Sequence, residues 1–123
     1  MTSQQPLGLV GLGVMGRNLA LNFADHGVSV SLFDRSPQAV ERAVAQDTTG
    51  RLHGFADLGA FVASLARPRK LMLMVNAGAP VDEVLARLVP LLEAGDIVVD
   101  GGNSLFTDTE RRAAELAAQG LLF

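Results

Sequence analysis

Short apolar segments alternate with segments of helical periodicity along the whole chain. The apolar segments cover residues 7–10, 28–33, 70–75 and 96–100, and a weaker one lies near Leu52. Between them, apolar residues recur at the spacing of one helical face, most clearly at 81, 84, 85 and 88. The alternation predicts five parallel strands joined by helices, and residues 121–123 are expected to open a sixth strand.

Capping residues predict where three of the helices begin. Ser36 followed by Pro37 is expected to start the second helix, and Asp57 the third. Thr107, with a glutamate three residues later, has the spacing of a capping box for the last helix. With right-handed crossovers, these elements assemble into an α/β fold: a Rossmann-like, doubly wound parallel sheet with helices on both faces, formed by residues 1–123 as one domain.

Composition narrows the classes of function. The chain has 123 residues, of which 49% are hydrophobic, enough for one domain with its own core. Ten basic and 13 acidic residues give a net charge of −3, so neither nucleic acid nor a membrane surface is expected as a partner. There are no cysteines and only two histidines, so no metal site is expected either. No segment resembles a signal peptide or a membrane span, which favours a cytoplasmic location.

The segment Gly11-Leu12-Gly13-Val14-Met15-Gly16 has the pattern G-x-G-x-x-G, directly after a predicted strand and at the start of a predicted helix. In that context, Gly11 permits the tight turn, Gly13 lets the backbone approach a diphosphate, and Gly16 lets the helix pack against the sheet. Residues 11–16 therefore predict a dinucleotide site. The alternative is a glycine-rich turn that binds no ligand.

The second strand ends in Asp34, Arg35 and Ser36, close to the position that reads the adenosine ribose. A carboxylate at Asp34 favours the two free ribose hydroxyls of NAD. The guanidinium of Arg35 favours the 2′-phosphate of NADP, and the Ser36 hydroxyl offers a further donor. Spacing alone does not decide between the two cofactors.

Two further loops follow strands at the edge where open α/β sheets bind ligands. Val75, Asn76 and Ala77 follow the fourth strand, and Asn103 and Ser104 lie in the loop after the fifth. Asn and Gly are also common turn formers, so the alternative interpretation is that Asn76 and Asn103 only form the turns. For Asn76 neither interpretation is preferred, whereas for Asn103 a ligand contact is favoured.

Charged residues elsewhere are predicted to have structural or solvent roles. Arg111 and Arg112 are expected on a solvated face of the last helix. Asp96 and Asp100 bracket the fifth strand and lack the partners that a carboxylate acid–base pair needs.

Three segments together, residues 11–20, 100–104 and 108–112, resemble the 6-phosphogluconate dehydrogenase family, within the β-hydroxyacid dehydrogenase superfamily. The resemblance implies NADP-dependent oxidative decarboxylation of 6-phosphogluconate to ribulose 5-phosphate and CO2, in the pentose phosphate pathway. It also implies site roles: diphosphate binding by residues 11–16, the 2′-phosphate site at residues 34–36, the cofactor pocket at residues 75–77, and contacts to nicotinamide and sugar acid by Asn103, with Ser104 beside it.

Two departures from the family pattern bear on the cofactor. Asp34 stands where the family tends to have Asn, and Asn76 stands where Lys is usual. Both changes shift the expectation toward NAD, but Arg35 and Ser36 keep NADP as the first expectation. The alternatives are another β-hydroxyacid dehydrogenase or imine-reductase relative, and a non-catalytic dinucleotide-binding module.

The resemblance also implies what residues 1–123 lack. The catalytic lysine and glutamate of the family, its substrate loop and its helical domain all come after the matched segments. No catalytic residue is therefore expected in this chain, which is predicted to be inactive alone and to expose apolar surface that favours self-association. The whole enzyme is expected to be a homodimer that acts on a sugar-acid phosphate.

Overall fold

Five strands alternate with five helices in the computed structural model, which describes residues 4–76, 78–102 and 106–123. A short 3₁₀ helix, Val89–Leu91, follows the fourth α-helix. In chain order the elements are β1 (Leu7–Val10), α1 (Val14–Asp25), β2 (Val30–Phe33), α2 (Pro37–Gln46), β3 (Leu52–Phe55), α3 (Leu58–Ala63), β4 (Lys70–Leu73), α4 (Ala79–Leu88), β5 (Ile97–Asp100) and α5 (Phe106–Ala117).

The strands form one parallel sheet in the order β3-β2-β1-β4-β5. In the centre, Leu9 of β1 pairs with Leu32 of β2 on one side and with Met72 of β4 on the other. Strands β2 and β3 therefore lie on one side of β1, and β4 and β5 lie on the other side. This topology confirms the predicted doubly wound α/β fold.

Two hydrophobic clusters, one on each face of the sheet, make up the core. Leu9 and Leu32 pack with residues of α1 and α2, whereas the next residue of each strand, Val10 and Phe33, packs with residues of α3, α4 and α5. Successive strand residues point to opposite faces, and here both faces are apolar because helices cover both. The predicted helices on both faces are confirmed.

Element boundaries differ from the sequence prediction at several points. Strand β2 begins at Val30 instead of residue 28, and β4 ends at Leu73 instead of residue 75. The predicted sixth strand is represented only by a single bridge between Ile97 and Leu122. Residues 121–123 therefore run alongside β5 without forming a ladder.

The predicted helix starts had mixed outcomes. Asp57 caps α3 as expected, since its carboxylate accepts a hydrogen bond from the N–H of Ala60 at 2.8 Å. Helix α5 begins at Phe106, so Thr107 already lies in its first turn and the prediction that Thr107 caps this helix was wrong. Ser36 occupies the cap position of α2, but its hydroxyl donates to the Gln38 side chain at 3.2 Å instead of capping a backbone N–H.

A buried ion pair joins the starts of β4 and β5. Asp96 is 2% exposed and Arg69 is 7% exposed. The Asp96 carboxylate accepts bonds from the Arg69 N–H at 2.7 Å, the Arg69 guanidinium at 3.2 Å and the Glu93 N–H at 2.8 Å. Burial opposes ionisation of Asp96, but these donors outweigh it and lower its pKa. Asp96 thus has structural partners that the sequence did not reveal.

None of the helices in the described ranges is long and apolar enough to cross a membrane.

Replacing Asp96 by alanine is expected to lower the free energy of unfolding by about 3–5 kcal/mol, because it leaves the buried Arg69 guanidinium uncompensated. Urea denaturation of the two proteins measures the difference. The matched control is Asp25→Ala at the exposed end of α1, where a change below about 0.5 kcal/mol is expected. A loss for Asp96→Ala no larger than that of the control would contradict the structural role.

Candidate functional site

A cleft of about 370 Å³ opens where the carboxyl ends of β1, β2 and β4 meet. Strand order reverses between β1 and β4, and the crevice outside such a reversal is where open α/β sheets bind ligands. Seven of the residues predicted from sequence as ligand-binding line this cleft together: Gly11, Leu12, Gly13, Asp34, Arg35, Val75 and Asn76.

Two glycines of the β1–α1 turn are required by packing. Gly11 has a φ of +102°, and a Cβ there would collide with the carbonyl oxygen of Met74. A Cβ on Gly16 would collide with the carbonyl oxygen of Gly11. The turn also donates the Gly11 N–H to the Phe33 carbonyl at 3.0 Å. Hence the end of β4, the turn and the first turn of α1 are in direct backbone contact.

The middle glycine has a different environment. No heavy atom lies within 4 Å of the position that a Cβ on Gly13 would occupy, and its φ of −65° suits any residue. Gly13 is the N-cap residue of α1, and no side chain caps the helix there. The leading N–H groups of α1 therefore keep their capacity for an external acceptor, and the helix dipole favours an anionic one. The space beside Gly13 thus fits the diphosphate of a dinucleotide.

Asp34 braces this turn from the end of β2. One carboxylate oxygen accepts the N–H of Leu12 at 2.7 Å, and the other accepts the N–H of Ser36 at 2.8 Å. Both oxygens thus already serve the backbone of the two loops that border the cleft. Each retains a second lone pair for a further donor, so the predicted ribose contact is compatible with this arrangement.

The other predicted residues are placed less uniformly. Arg35 is exposed on the cleft wall, whereas Ser36, the N-cap residue of α2, is not among the residues that line the cleft. Val14 and Met15 project from the first turn of α1, 65% and 74% exposed, outside the lining of the cleft. Ala77, Asn103 and Ser104 lie outside the described residues.

Helix α4 provides a wall of the cleft that the sequence prediction missed. Pro80, Glu83, Val84 and Arg87 line it at the i, i+3, i+4 and i+7 positions of one helical face. This face lies beside the apolar face formed by Val81, Leu85 and Leu88. The sequence prediction grouped Val84 with the apolar residues of α4, and exposed charges such as Glu83 and Arg87 usually face solvent, so nothing marked this face as part of a site.

Arg112 was also assigned wrongly. It was predicted to lie on a solvated face, yet it is 0% exposed and occupies the buried stripe of α5 one turn before Leu116. Its guanidinium donates to Asp82 at 2.9 Å and to the Gly78 carbonyl at 3.1 Å, and lies 4.0 Å from the carboxylate of Asp100. Arg112 therefore links the start of α4 with the end of β5.

Arg111 binds the same carboxylate from the solvent side. It donates to both oxygens of Asp82 at 3.2 Å, and its side chain is 45% exposed, as expected for a solvated face. The hydrogen bond from Arg112 is the main cause that lowers the pKa of Asp82 to about 2, with a further contribution from Arg111. Asp82 is accordingly ionised at any pH near neutrality.

The loop after β5 is held by the same region. Asp100 accepts the N–H of Gly102 at 2.9 Å through the oxygen that does not face Arg112. A Cβ on Gly101 would collide with the Met74 sulfur, so this loop packs directly on the end of β4. Thus Arg112 and Asp100 together position the loops that follow β4 and β5.

Within the described ranges, no group of three or more His, Cys, Asp or Glu side chains is placed to hold a metal ion.

The strand order, the glycine turn and the open space at Gly13 define the class of protein: a Rossmann-type dinucleotide-binding domain. Residues 6–123 match the sequence model of the NAD-binding domain of 6-phosphogluconate dehydrogenase. The chain belongs to this family, as its resemblance predicted.

Individual relatives agree. The chain is 51% identical to the decarboxylating 6-phosphogluconate dehydrogenase of Chlamydia trachomatis over 100% of its own length, and it spans 26% of that enzyme. Its fold matches that of the Plasmodium falciparum 6-phosphogluconate dehydrogenase with a TM-score of 0.89 and 30% sequence identity. That enzyme was studied in complex with NADP+ and with 6-phosphogluconate, and the match covers 95% of this chain and 26% of that one. A Mycobacterium tuberculosis 3-hydroxyisobutyrate dehydrogenase shares the fold alone, with a TM-score of 0.82 and 22% identity over 97% of this chain and 38% of that one.

The different environments of the glycines predict different effects of alanine. Gly16→Ala is expected to lower the free energy of unfolding by about 1–3 kcal/mol, because its methyl group meets the Gly11 carbonyl. Gly13→Ala is expected to cost less than about 1 kcal/mol, because its methyl group enters open space. Urea unfolding of both variants tests the contrast, and equal losses would contradict it.

The two neighbouring arginines provide a second matched pair. Arg112→Met is expected to lower the free energy of unfolding by about 1.5–3 kcal/mol, because it breaks hydrogen bonds to a charged group at a buried position. Arg111→Met removes an exposed contact to the same Asp82 and is expected to cost about 0.2–1 kcal/mol. Thermal unfolding followed by calorimetry distinguishes them, and a larger loss for Arg111→Met would show that the burial of Arg112 is unimportant.

Proposed function

We propose that this chain binds NADP as the cofactor-binding domain of a decarboxylating 6-phosphogluconate dehydrogenase. The whole enzyme would oxidise and decarboxylate 6-phosphogluconate to ribulose 5-phosphate and CO2. The family match and the relatives of that name support the reaction. The observation that carries the cofactor role is the open space at Gly13, beside an uncapped helix start and within a cleft at the strand-order reversal.

Each part of the cleft has a role in holding the dinucleotide. The turn of residues 11–16 holds the diphosphate through the N–H groups at the start of α1, because those of Gly11 and Leu12 already bind Phe33 and Asp34. Gly13 admits the diphosphate by lacking a side chain. Val14 and Met15, exposed beside that position, give apolar surface to the nicotinamide half, and Val75 lines the cleft on the β4 side. When bound, the dinucleotide would supply the hydride acceptor for oxidation of the substrate.

The adenosine end is proposed to select NADP. Arg35 is exposed on the cleft wall, and it can pair with a 2′-phosphate in the geometry that guanidinium groups favour. Ser36 begins α2, so the 2′-phosphate would also lie near the positive end of that helix dipole. Asp34, which by charge alone favours NAD, already accepts two backbone N–H groups. Its negative charge is therefore partly compensated.

The substrate side of the site belongs to the loops after β4 and β5. We propose that Asn76 and Ala77 complete the cofactor pocket, that Asn103 contacts both nicotinamide and sugar acid, and that Ser104 lies beside it. Arg112 and Asp100 would fix the positions of these two loops relative to each other. Other steps of catalysis are proposed to use groups outside residues 1–123, in a homodimeric, cytoplasmic enzyme with no nucleic-acid or membrane partner.

The chain is expected to bind NADP at least about tenfold more tightly than NAD, a difference of about 1.4 kcal/mol. Isothermal titration calorimetry with both dinucleotides measures this preference. Arg35→Gln is expected to reduce it by weakening NADP selectively, whereas Gly13→Ala should weaken both dinucleotides because its methyl group occupies the diphosphate space.

The control is Arg42→Gln, which removes a positive charge from an exposed position on α2 away from the cleft lining. It should leave both affinities within about twofold of the wild type. A tenfold preference for NAD would mean that the charge of Asp34 outweighs Arg35, and absence of binding of either dinucleotide would refute the cofactor role.

A further inference from the structure

Arg87 lines the same cleft as the residues at the end of β2. It belongs to the last turn of α4, and it lines the same cleft as Arg35. A basic residue near a helix end often serves only to complement the helix dipole. Arg87, however, is exposed on the face of α4 that borders the cleft, and α4 continues into the 3₁₀ helix Val89–Leu91 instead of ending in solvent.

Its guanidinium has no hydrogen bond or ion pair to any other residue that the structure describes. Glu83 lies four positions earlier on the same face, a spacing at which glutamate and arginine can pair, yet the two are not paired. Arg87 contrasts in this respect with Arg69, Arg111 and Arg112, each of which binds a carboxylate. Its donors are therefore available to a ligand in the cleft.

The other groups of the cleft leave a phosphate short of positive charge. Arg35 is the cation on the β2 side, while Asp34 and Glu83 are acidic and Asn76 is neutral. A phosphate monoester carries close to two negative charges at neutral pH. A second cation is needed to balance it, and Arg87 is the other basic residue that lines this cleft.

The order of residues along α4 is consistent with this role. Pro80 and Val84 contribute apolar surface to the cleft, which suits the flat adenine ring, and Arg87 follows Val84 by about one turn of α4. An arginine can reach past the ring with its long aliphatic stem and still place its planar fork against a phosphate.

We propose that Arg87 is a specificity-determining residue that binds the adenosine 2′-phosphate together with Arg35. The two guanidinium groups approach the phosphate from different elements of the cleft, one from the end of β2 and the other from α4. Arg87 thereby supplies the positive charge that position 76 does not. This inference rests on the proposed binding of NADP.

Calorimetric titration of Arg87→Gln with NADP and with NAD tests the proposal. Affinity for NADP should fall by about tenfold, as for a charge-assisted hydrogen bond, and affinity for NAD by less than about twofold. Arg87→Lys, which keeps the charge but not the fork, should recover part of the NADP affinity. Circular dichroism should show an unchanged fold because the side chain is exposed.

Titration with adenosine 2′,5′-bisphosphate and with adenosine 5′-monophosphate shows whether Arg87 contacts the 2′-phosphate. The wild-type chain should prefer the bisphosphate, and Arg87→Gln should remove most of that preference, whereas Arg42→Gln, a control for overall charge, should not. Equal weakening of NADP and NAD by Arg87→Gln would place the side chain at another part of the dinucleotide and overturn the proposal. So would an unchanged NADP affinity.

Failure of the underlying function is distinguishable from failure of this inference. If the wild-type chain bound neither dinucleotide, or preferred NAD, the proposed function would fail and this inference with it. If the wild type preferred NADP and the preference survived in Arg87→Gln but not in Arg35→Gln, only the role of Arg87 would be refuted.

Discussion

The shape of the site depends on a backbone contact at the first turn after β1. The carbonyl of Met74 lies against Gly11, and the carbonyl of Gly11 lies against Gly16, with no room for a Cβ at either glycine. This contact draws the end of β4 against the start of α1 at the point where the strand order reverses. As a result, the next glycine, Gly13, faces open space at an uncapped helix start. The close packing at Gly11 and Gly16 thus leaves the N–H groups beside Gly13 exposed on the other side of the turn, where they can bind an anion.

The negative charge in the cleft comes from the residue that holds its loops in place, Asp34. Asp34 ties the N–H of Leu12, in the glycine turn, to the N–H of Ser36, at the start of α2. An asparagine in the same place has a single acceptor oxygen, so it cannot accept both bonds with separate oxygens. The carboxylate therefore stiffens both loops, but it also places a negative charge at the end of β2, where the ribose is proposed to bind. Selection of a 2′-phosphate in such a site requires cations from the surrounding walls, and the structure offers Arg35 and Arg87.

Most features with a local cause were predictable from the sequence, and features that depend on distant partners were not. The glycine turn, the approximate positions of five strands and the Asp57 cap are each encoded within a few residues, and the structure agrees with them. The equally local Thr107 cap and the sixth strand were predicted wrongly. Arg112 was misassigned because its burial depends on Asp82 and Gly78, 30 and 34 positions away along the chain. The wall formed by α4 was missed for the same reason: which helical face borders a cleft is decided by packing, and periodicity identifies only the apolar face.

The position of Arg112 suggests why a buried arginine is used where an apolar side chain could fill the same volume. Buried ion pairs are often no more stabilising than well-packed hydrophobic residues, because desolvation offsets the attraction. A hydrophobic residue, however, has no directional bonds. The fork of Arg112 binds Asp82 and the Gly78 carbonyl and faces Asp100, whose other oxygen holds Gly102. One side chain thereby fixes the relative position of the loops after β4 and β5. Apolar packing would not fix the spacing of those loops, and the proposed site, which draws on both of them, would need that spacing more than it needs additional stability.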